Sequence, residues 1–113
     1  MALPPKQVVN VGEALQHARA DGPFWSVNSE QLNVNLIRLS AGQGIAEHVN
    51  GELDVLLAVF EGSGELIVDG ETHLLGVGSV IVVPHGARRS LRCVEGPLVY
   101  LSAHRQRGGL MPT

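Results

Sequence analysis

Residues 53–83 read LDVLLAVFEGSGELIVDGETHLLGVGSVIVV, and this stretch decides the fold. Short runs of branched aliphatic residues alternate in it with glycine-containing breaks, and such aliphatic residues suit a pleated sheet. Asp69-Gly70, between two of the runs, is the strongest short-range signal for a hairpin. The stretch therefore predicts four strands, at Leu53–Phe60, Glu65–Val68, Thr72–Leu75 and Val80–Val83.

The same alternation extends in both directions along the chain and predicts three further strands, at Leu32–Leu39, Ser90–Val94 and Leu98–Ala103. Strands that recur at such short spacing indicate a β-sandwich or barrel. The runs Val55–Phe60 and Val80–Val83 are continuously apolar, which is typical of strands covered on both faces. We therefore expect an all-β barrel, and a homodimer in which a second subunit covers one face.

The first 30 residues differ from this strand pattern. A short helix is predicted at Glu13–Arg19, and Asp21-Gly22-Pro23 is expected to end it. Phe24 and Trp25 are expected to pack this arm onto the barrel or onto a second subunit. Because 113 residues suit one domain, we expect a single domain made of an N-terminal arm (residues 1–30), a barrel (31–104) and a C-terminal tail (105–113).

Charge and composition argue against several classes of function. With 11 acidic and 8 basic residues and a net charge of −3, the chain has no broad cationic surface for nucleic acid. No apolar stretch has the length of a membrane span or a signal peptide. Cys93 is the one cysteine and has no partner in the chain for a disulfide. We therefore expect a cytoplasmic protein that binds neither nucleic acid nor membranes.

Residues 42–62 and 78–92 resemble the two conserved motifs of the cupin superfamily. The matching positions are Gly42, His48 and Gly62 in the first motif and Gly78, Pro84 and Gly86 in the second. The glycines and the proline suit tight turns between strands. The resemblance implies a double-stranded β-helix, also called a jelly-roll barrel, in which cupins usually hold a divalent metal ion with three His and one Glu.

Of the four ligand positions that the resemblance implies, the chain keeps His48 and places Asn50, Val55 and Arg89 at the other three. Valine removes the anionic ligand, and arginine adds a cation that stays charged in proteins. We therefore expect no cofactor, and a pocket in which His48, Asn50 and Arg89 bind a carboxylate or another small anion. Arg88 precedes Arg89, so strand alternation sends the two to opposite faces, and the motif register selects Arg89 as the inward one.

Three other interpretations of the same residues stay open. Arg89 could extend to solvent beside Arg88 and bind nothing. A divalent transition metal could be held by His48 with Asp54 or His104, in an enzyme of the isomerase or dioxygenase type. Asp54 is one residue out of register for this, which turns a strand side chain to the opposite face.

The third interpretation is a ligand-free structural dimerisation module. Its barrel would be filled by side chains such as Leu57 and Val59. No catalytic residue is assigned, because no Ser-His-Asp or Cys-His pattern has a defensible spacing.

Overall fold

Seven antiparallel strands and one short helix make up the structure, a computed structural model that describes residues 7–106. The elements are α1 (Val11–Gln16), β1 (Gly22–Asn28), β2 (Leu32–Leu39), β3 (Gly44–Val49), β4 (Val55–Val68), β5 (Glu71–Leu75), β6 (Val80–Val83) and β7 (Arg88–Arg105). The all-β class with a short N-terminal helix is confirmed. Residues 1–6 of the expected arm and 107–113 of the expected tail lie outside the described residues.

The long strands β4 and β7 each run through two sheets and join them. The first half of β7 lies between β3 and the second half of β4, which also pairs with β5. The second half of β7 lies between β2 and the first half of β4; β1 continues this sheet beside β2, and β6 continues it beside β4. The two sheets enclose a common bore, as expected for a jelly-roll barrel.

Gly62 lies where β4 bends from one sheet into the other. The register between β4 and β7 shifts repeatedly from Val59 to Gly64. Gly62 has a φ of 78°, and a Cβ there would clash with the carbonyl oxygens of Glu95 and Pro97 on β7. Because only glycine combines a positive φ with such a close approach of two backbones, this residue fixes where the sheets fold over each other.

The hairpin predicted at Asp69-Gly70 is confirmed. It joins β4 to β5, with φ values of 49° for Asp69 and 82° for Gly70. Positive φ at both central residues is the signature of a type I′ turn. The Asp69 carboxylate accepts a hydrogen bond from the Arg88 backbone N–H at 2.9 Å, so the turn is tied to the start of β7.

The hydrophobic core lies in the bore, on the inward faces of both sheets. The largest fully buried side chains within it are Leu66, Leu98, Val83 and Cys93. Along β4 the burial alternates: Val55, Leu57 and Val59 are buried, whereas Leu56 and Phe60 are more than one-third exposed. Val80 and Val82 on the adjoining β6 are also exposed. Within one chain, β4 and β6 are therefore covered on their inner face only. That a second subunit covers their outer face remains a prediction.

The predicted helix Glu13–Arg19 was misplaced. Helix α1 begins at Val11, because the Asn10 side chain accepts a hydrogen bond from the Glu13 N–H at 2.9 Å and caps the helix. It ends at Gln16, well before the turn residues that were expected to stop it. No helix in residues 7–106 has the length and apolarity to cross a membrane.

Strands β1 and β3 were missed, and two strands were wrongly divided. Strand β1 begins at Gly22-Pro23, which had indicated a helix stop, and its Trp25 pairs in register with Leu36 of β2. All six residues of β3 are exposed, so its sequence lacks the alternation of a half-buried strand. The two strands predicted at 53–60 and 65–68 form the single strand β4, and those predicted at 90–94 and 98–103 form the single strand β7.

Candidate functional site

A cavity of about 180 Å³ lies in the bore between the two sheets. Aliphatic side chains make up most of its wall: Ile37, Ile45, Val55, Leu57, Leu66 and Leu91. Its polar lining residues are His48, Arg89, Ser90, Tyr100 and Ser102. The cavity is thus an apolar chamber with a small polar group in its wall, which is the general character of small-molecule sites.

His48 and Arg89 face each other across the β3–β7 ladder and are joined by a hydrogen bond. The Arg89 Nε–H donates to His48 Nε2 at 3.2 Å. His48 Nδ1 lies 2.9 Å from the Ala46 carbonyl oxygen, an acceptor, so Nδ1 carries the proton of a neutral imidazole and Nε2 is free to accept. His48 therefore positions Arg89 through Nε and leaves the terminal guanidinium nitrogens for other partners.

Arg89 lacks a carboxylate partner among residues 7–106, in contrast to three other arginines of the barrel. Nitrogen–oxygen distances are 2.9 Å for Arg38–Asp21, 3.4 Å for Arg88–Glu47 and 2.5 Å for Arg92–Glu65. Partial burial lowers the pKa of Arg89, an effect opposed by the nearby Tyr100. A guanidinium remains charged despite such a shift, so the cavity wall contains one cation with no counter-charge from the described residues.

Tyr100 is a polar residue of the cavity that the sequence analysis did not identify as functional. It is only 4% exposed, and burial raises its pKa to about 12. The phenol is therefore protonated at neutral pH. Its hydroxyl forms no hydrogen bond within the described part of the chain, so it can donate to a ligand. Strand alternation was the available signal, because Tyr100 shares the inward face of β7 with Leu98 and Ser102.

Asn50 lies at the mouth of the bore and not in the main cavity. Its side-chain oxygen accepts hydrogen bonds from the backbone N–H groups of Glu52 and Leu53, at 3.0 and 3.1 Å. A second, shallower cavity of about 280 Å³ at the mouth is lined by Asn50 together with His48, Arg89 and His104. The structure thus brings His48 and Arg89 together in the bore, while Asn50 shapes the entrance and closes a turn.

Asp54 lines neither of these cavities. Its carboxylate accepts hydrogen bonds from the His85 backbone N–H at 2.9 Å and from His85 Nδ1 at 2.8 Å. These two bonds, the backbone one first, lower the pKa of Asp54. Its side chain is 60% exposed, and Asp54 precedes the first residue of β4.

The residues present do not fit the three-His, one-Glu metal site that the family resemblance implies. The four positions hold one imidazole, an amide oxygen engaged by backbone N–H groups, an aliphatic side chain and a guanidinium. Across residues 7–106, no three His, Cys, Asp or Glu side chains cluster so as to hold a metal ion. His104, the other imidazole at the mouth, has Nδ1 2.7 Å from the Arg105 carbonyl oxygen.

Comparison with known proteins gives a family match and a consistent fold. The family model of the cupin domain matches residues 35–104. A Klebsiella pneumoniae protein with a double-stranded β-helix domain superposes with a TM-score of 0.78 at 18% identity, over 97% of this chain and 93% of that one. An RmlC-like cupin protein from Desulfovibrio desulfuricans has a TM-score of 0.64 at 26% identity, covering 71% and 77%.

KdgF from a Halomonas species is also similar, with a TM-score of 0.68 at 20% identity over 72% of this chain and 74% of that one. No curated protein sequence matches the chain. At identities this low, the likeness to the Klebsiella protein and to KdgF shows the double-stranded β-helix fold alone.

Proposed function

The chain belongs to the cupin family, and we propose that it binds a small anionic ligand in its bore, with Arg89 as the anchor. The observation that carries this proposal is the guanidinium of Arg89, which lies in the cavity wall without a carboxylate partner from the described residues. Removing a charge from water is costly unless it is paired. A bound anion would supply that pair, and the guanidinium fork suits a carboxylate in particular.

The two competing functions have less support. A metal-dependent isomerase or dioxygenase would need donor side chains in place of Val55 and Arg89, and a cation there would be repelled by the guanidinium. A ligand-free module would need a filled bore. Leu57 and Val59 are buried as that hypothesis requires, but a cavity of about 180 Å³ remains beside them.

We further propose that two copies of the chain pair through the outer face of the β4–β6 sheet. Leu56 lies opposite Val82 and Ala58 opposite Val80 in the ladder, so these apolar side chains form one uncharged patch. Contiguous exposed apolar patches on soluble proteins mark interaction sites. A second copy presents the same uncharged patch, which a charged partner would not match. The free thiol of Cys93 supports a cytoplasmic location for this dimer.

Substitution of Arg89 tests the binding proposal. A ligand that binds the native state raises the melting temperature in proportion to the logarithm of its concentration above Kd. We expect acetate, benzoate or another small carboxylate to stabilise the wild-type protein. In Arg89→Ala, loss of charged hydrogen bonds of about 1.5–3 kcal/mol should weaken binding roughly 10- to 100-fold.

Arg88→Ala is the matched control, because Arg88 is the neighbouring arginine and pairs with Glu47 on the outside. It should keep the full response to carboxylates. An equal response of Arg89→Ala and wild type would contradict the proposal. So would elemental analysis that finds a stoichiometric, tightly bound transition metal in the purified protein.

A further inference from the structure

The charge of the cavity limits the class of anion. Arg89 is the one charged residue in the wall of the main cavity, as far as residues 7–106 form it. A single guanidinium balances one negative charge, so a dianion such as a phosphate monoester would retain an uncompensated charge beside a mostly aliphatic wall. The geometry thus favours a monoanion.

The hydrogen-bonding groups of the cavity narrow the class further. The terminal guanidinium nitrogens of Arg89 and the hydroxyl of Tyr100 are donors without partners in the described chain. The two groups are close enough for Arg89 to influence the pKa of Tyr100 electrostatically. A carboxylate accepts through both oxygens, so one oxygen can take the guanidinium and the other the phenol.

Most of the remaining wall is aliphatic, with Ser90 and Ser102 as its other polar residues, so it favours an apolar body on the ligand. Ile37, Leu57 and Leu66 face the cavity from β2 and β4 and offer no hydrogen bond. A ligand body rich in polar groups would leave most of its donors and acceptors unsatisfied against these side chains. The volume of about 180 Å³ is below the roughly 300–1,000 Å³ of sites for drug-sized molecules, so the body is short.

We propose that the ligand is a short apolar monocarboxylate, with its carboxylate on Arg89 and Tyr100 and its hydrocarbon chain against Ile37, Leu57 and Leu66. This inference rests on the proposed function and adds the substrate class to it. Burial of each additional methylene is expected to raise affinity by about fourfold until the chamber is full.

Calorimetric titration with a homologous series tests this inference. The probes are the sodium salts of acetate, propionate, butyrate, pentanoate and hexanoate, with butyramide and hexanamide as uncharged analogues and inorganic phosphate as the competing anion. We expect Kd to fall by about fourfold per methylene to a plateau. The amides should bind at least roughly tenfold more weakly than the matching acids.

Two variants locate the ligand in the bore. Tyr100→Phe keeps the ring and removes the hydroxyl, so it should weaken every acid by the same factor, about 3- to 10-fold. Ile37→Phe should fill part of the chamber, so the plateau should then occur at a shorter acid than in the wild-type protein. Circular dichroism verifies that both variants fold, and the ligand series on the wild-type protein decides the question even if one does not.

The outcomes separate this inference from the proposed function. If acids bind through Arg89 with no dependence on chain length, or if phosphate binds more tightly than hexanoate, the apolar monocarboxylate is wrong and an anion site remains. If no anion binds, or if amides bind as well as acids, the proposed function itself fails.

Discussion

Arg88 and Arg89 are consecutive residues of β7, yet they belong to two different regions, the outer surface of the barrel and its bore. On the outside, Arg88 pairs with Glu47, and both side chains are more than half exposed. In the bore, Arg89 donates to the neutral His48 and has no carboxylate partner among the described residues. The charge of Arg88 is thus balanced within the chain, whereas the charge of Arg89 is left for a ligand to balance.

The aliphatic residues show the same contrast between bore and surface. Leu66 and Ile67 are consecutive on β4, but Leu66 is 1% exposed and lines the cavity, whereas Ile67 is 36% exposed on the other face. The outer face of β4 and β6 also differs from the bore, but its exposed residues Leu56, Val80 and Val82 are apolar. Three substitutions, taken in order of decreasing expected effect, test how far the bore and the outer surface differ.

The largest effect is expected for Leu66→Ala. Removing a fully buried leucine side chain costs about 2–5 kcal/mol of unfolding free energy, depending on how far the wall collapses. Ile67→Ala is the matched control and should cost about 1 kcal/mol or less, since its side chain is already partly in water. Urea unfolding monitored by circular dichroism measures both. Equal losses for the two variants would show that the bore is not the core that stabilises the fold.

Much of this inner-outer pattern was predictable from sequence, because it depends on local periodicity. The limits of β2 and β6 were predicted as the structure has them, and the Asp69-Gly70 turn follows from the backbone that those two residues favour. The inward direction of Arg89 followed from its register in the second motif. That no described carboxylate pairs with Arg89 could not be predicted from the sequence, because the folded barrel decides which carboxylates lie near it.

The features that were not predicted also depend on contacts that exist only in the folded chain. Strand β3 forms by pairing with β7 and not by burying a face, so its six exposed residues show no pattern. Asn50 matched a ligand position, but its amide oxygen accepts hydrogen bonds from its own turn. Tyr100 was not identified as functional, because its role depends on the cavity that the fold forms beside it.

An intermediate effect, on dimer formation, is expected for a substitution in the apolar outer face of β4 and β6. Val82→Glu places a charge in the patch that we propose to pair with a second copy. Burial of an unpaired charge costs more than the roughly 1–3 kcal/mol of a neutral polar group, so the dimer should dissociate at least roughly 5-fold more readily. Light scattering after size exclusion should give twice the mass of one chain for wild type and a lower mass for the variant.

Leu74→Glu is the control for this dimer test. Leu74 is also an exposed apolar residue, but it lies on β5 in the other sheet, so its variant should keep the wild-type mass. A wild-type protein that has the mass of one chain at all concentrations would contradict the dimer.

The smallest effect is expected at the exposed Asp54–His85 pair. The pKa of Asp54 is lowered in the folded chain, chiefly by the His85 backbone N–H and then by the imidazole. A carboxylate with a lowered pKa stabilises the fold fully above its unfolded pKa, and this contribution is lost as the pH falls through its folded pKa. Because the pair is exposed and screened by solvent, the contribution is small.

Melting temperatures between pH 3 and pH 6 measure the contribution of the Asp54–His85 pair to stability. Asp54→Asn should lower the melting temperature slightly at pH 6 and lose less stability than wild type on acidification. His85→Ala should lie between the two, since it removes the imidazole but keeps the backbone N–H that contributes most. Parallel curves for wild type and Asp54→Asn would mean that this surface pair, unlike the unpaired charge in the bore, has no energetic role.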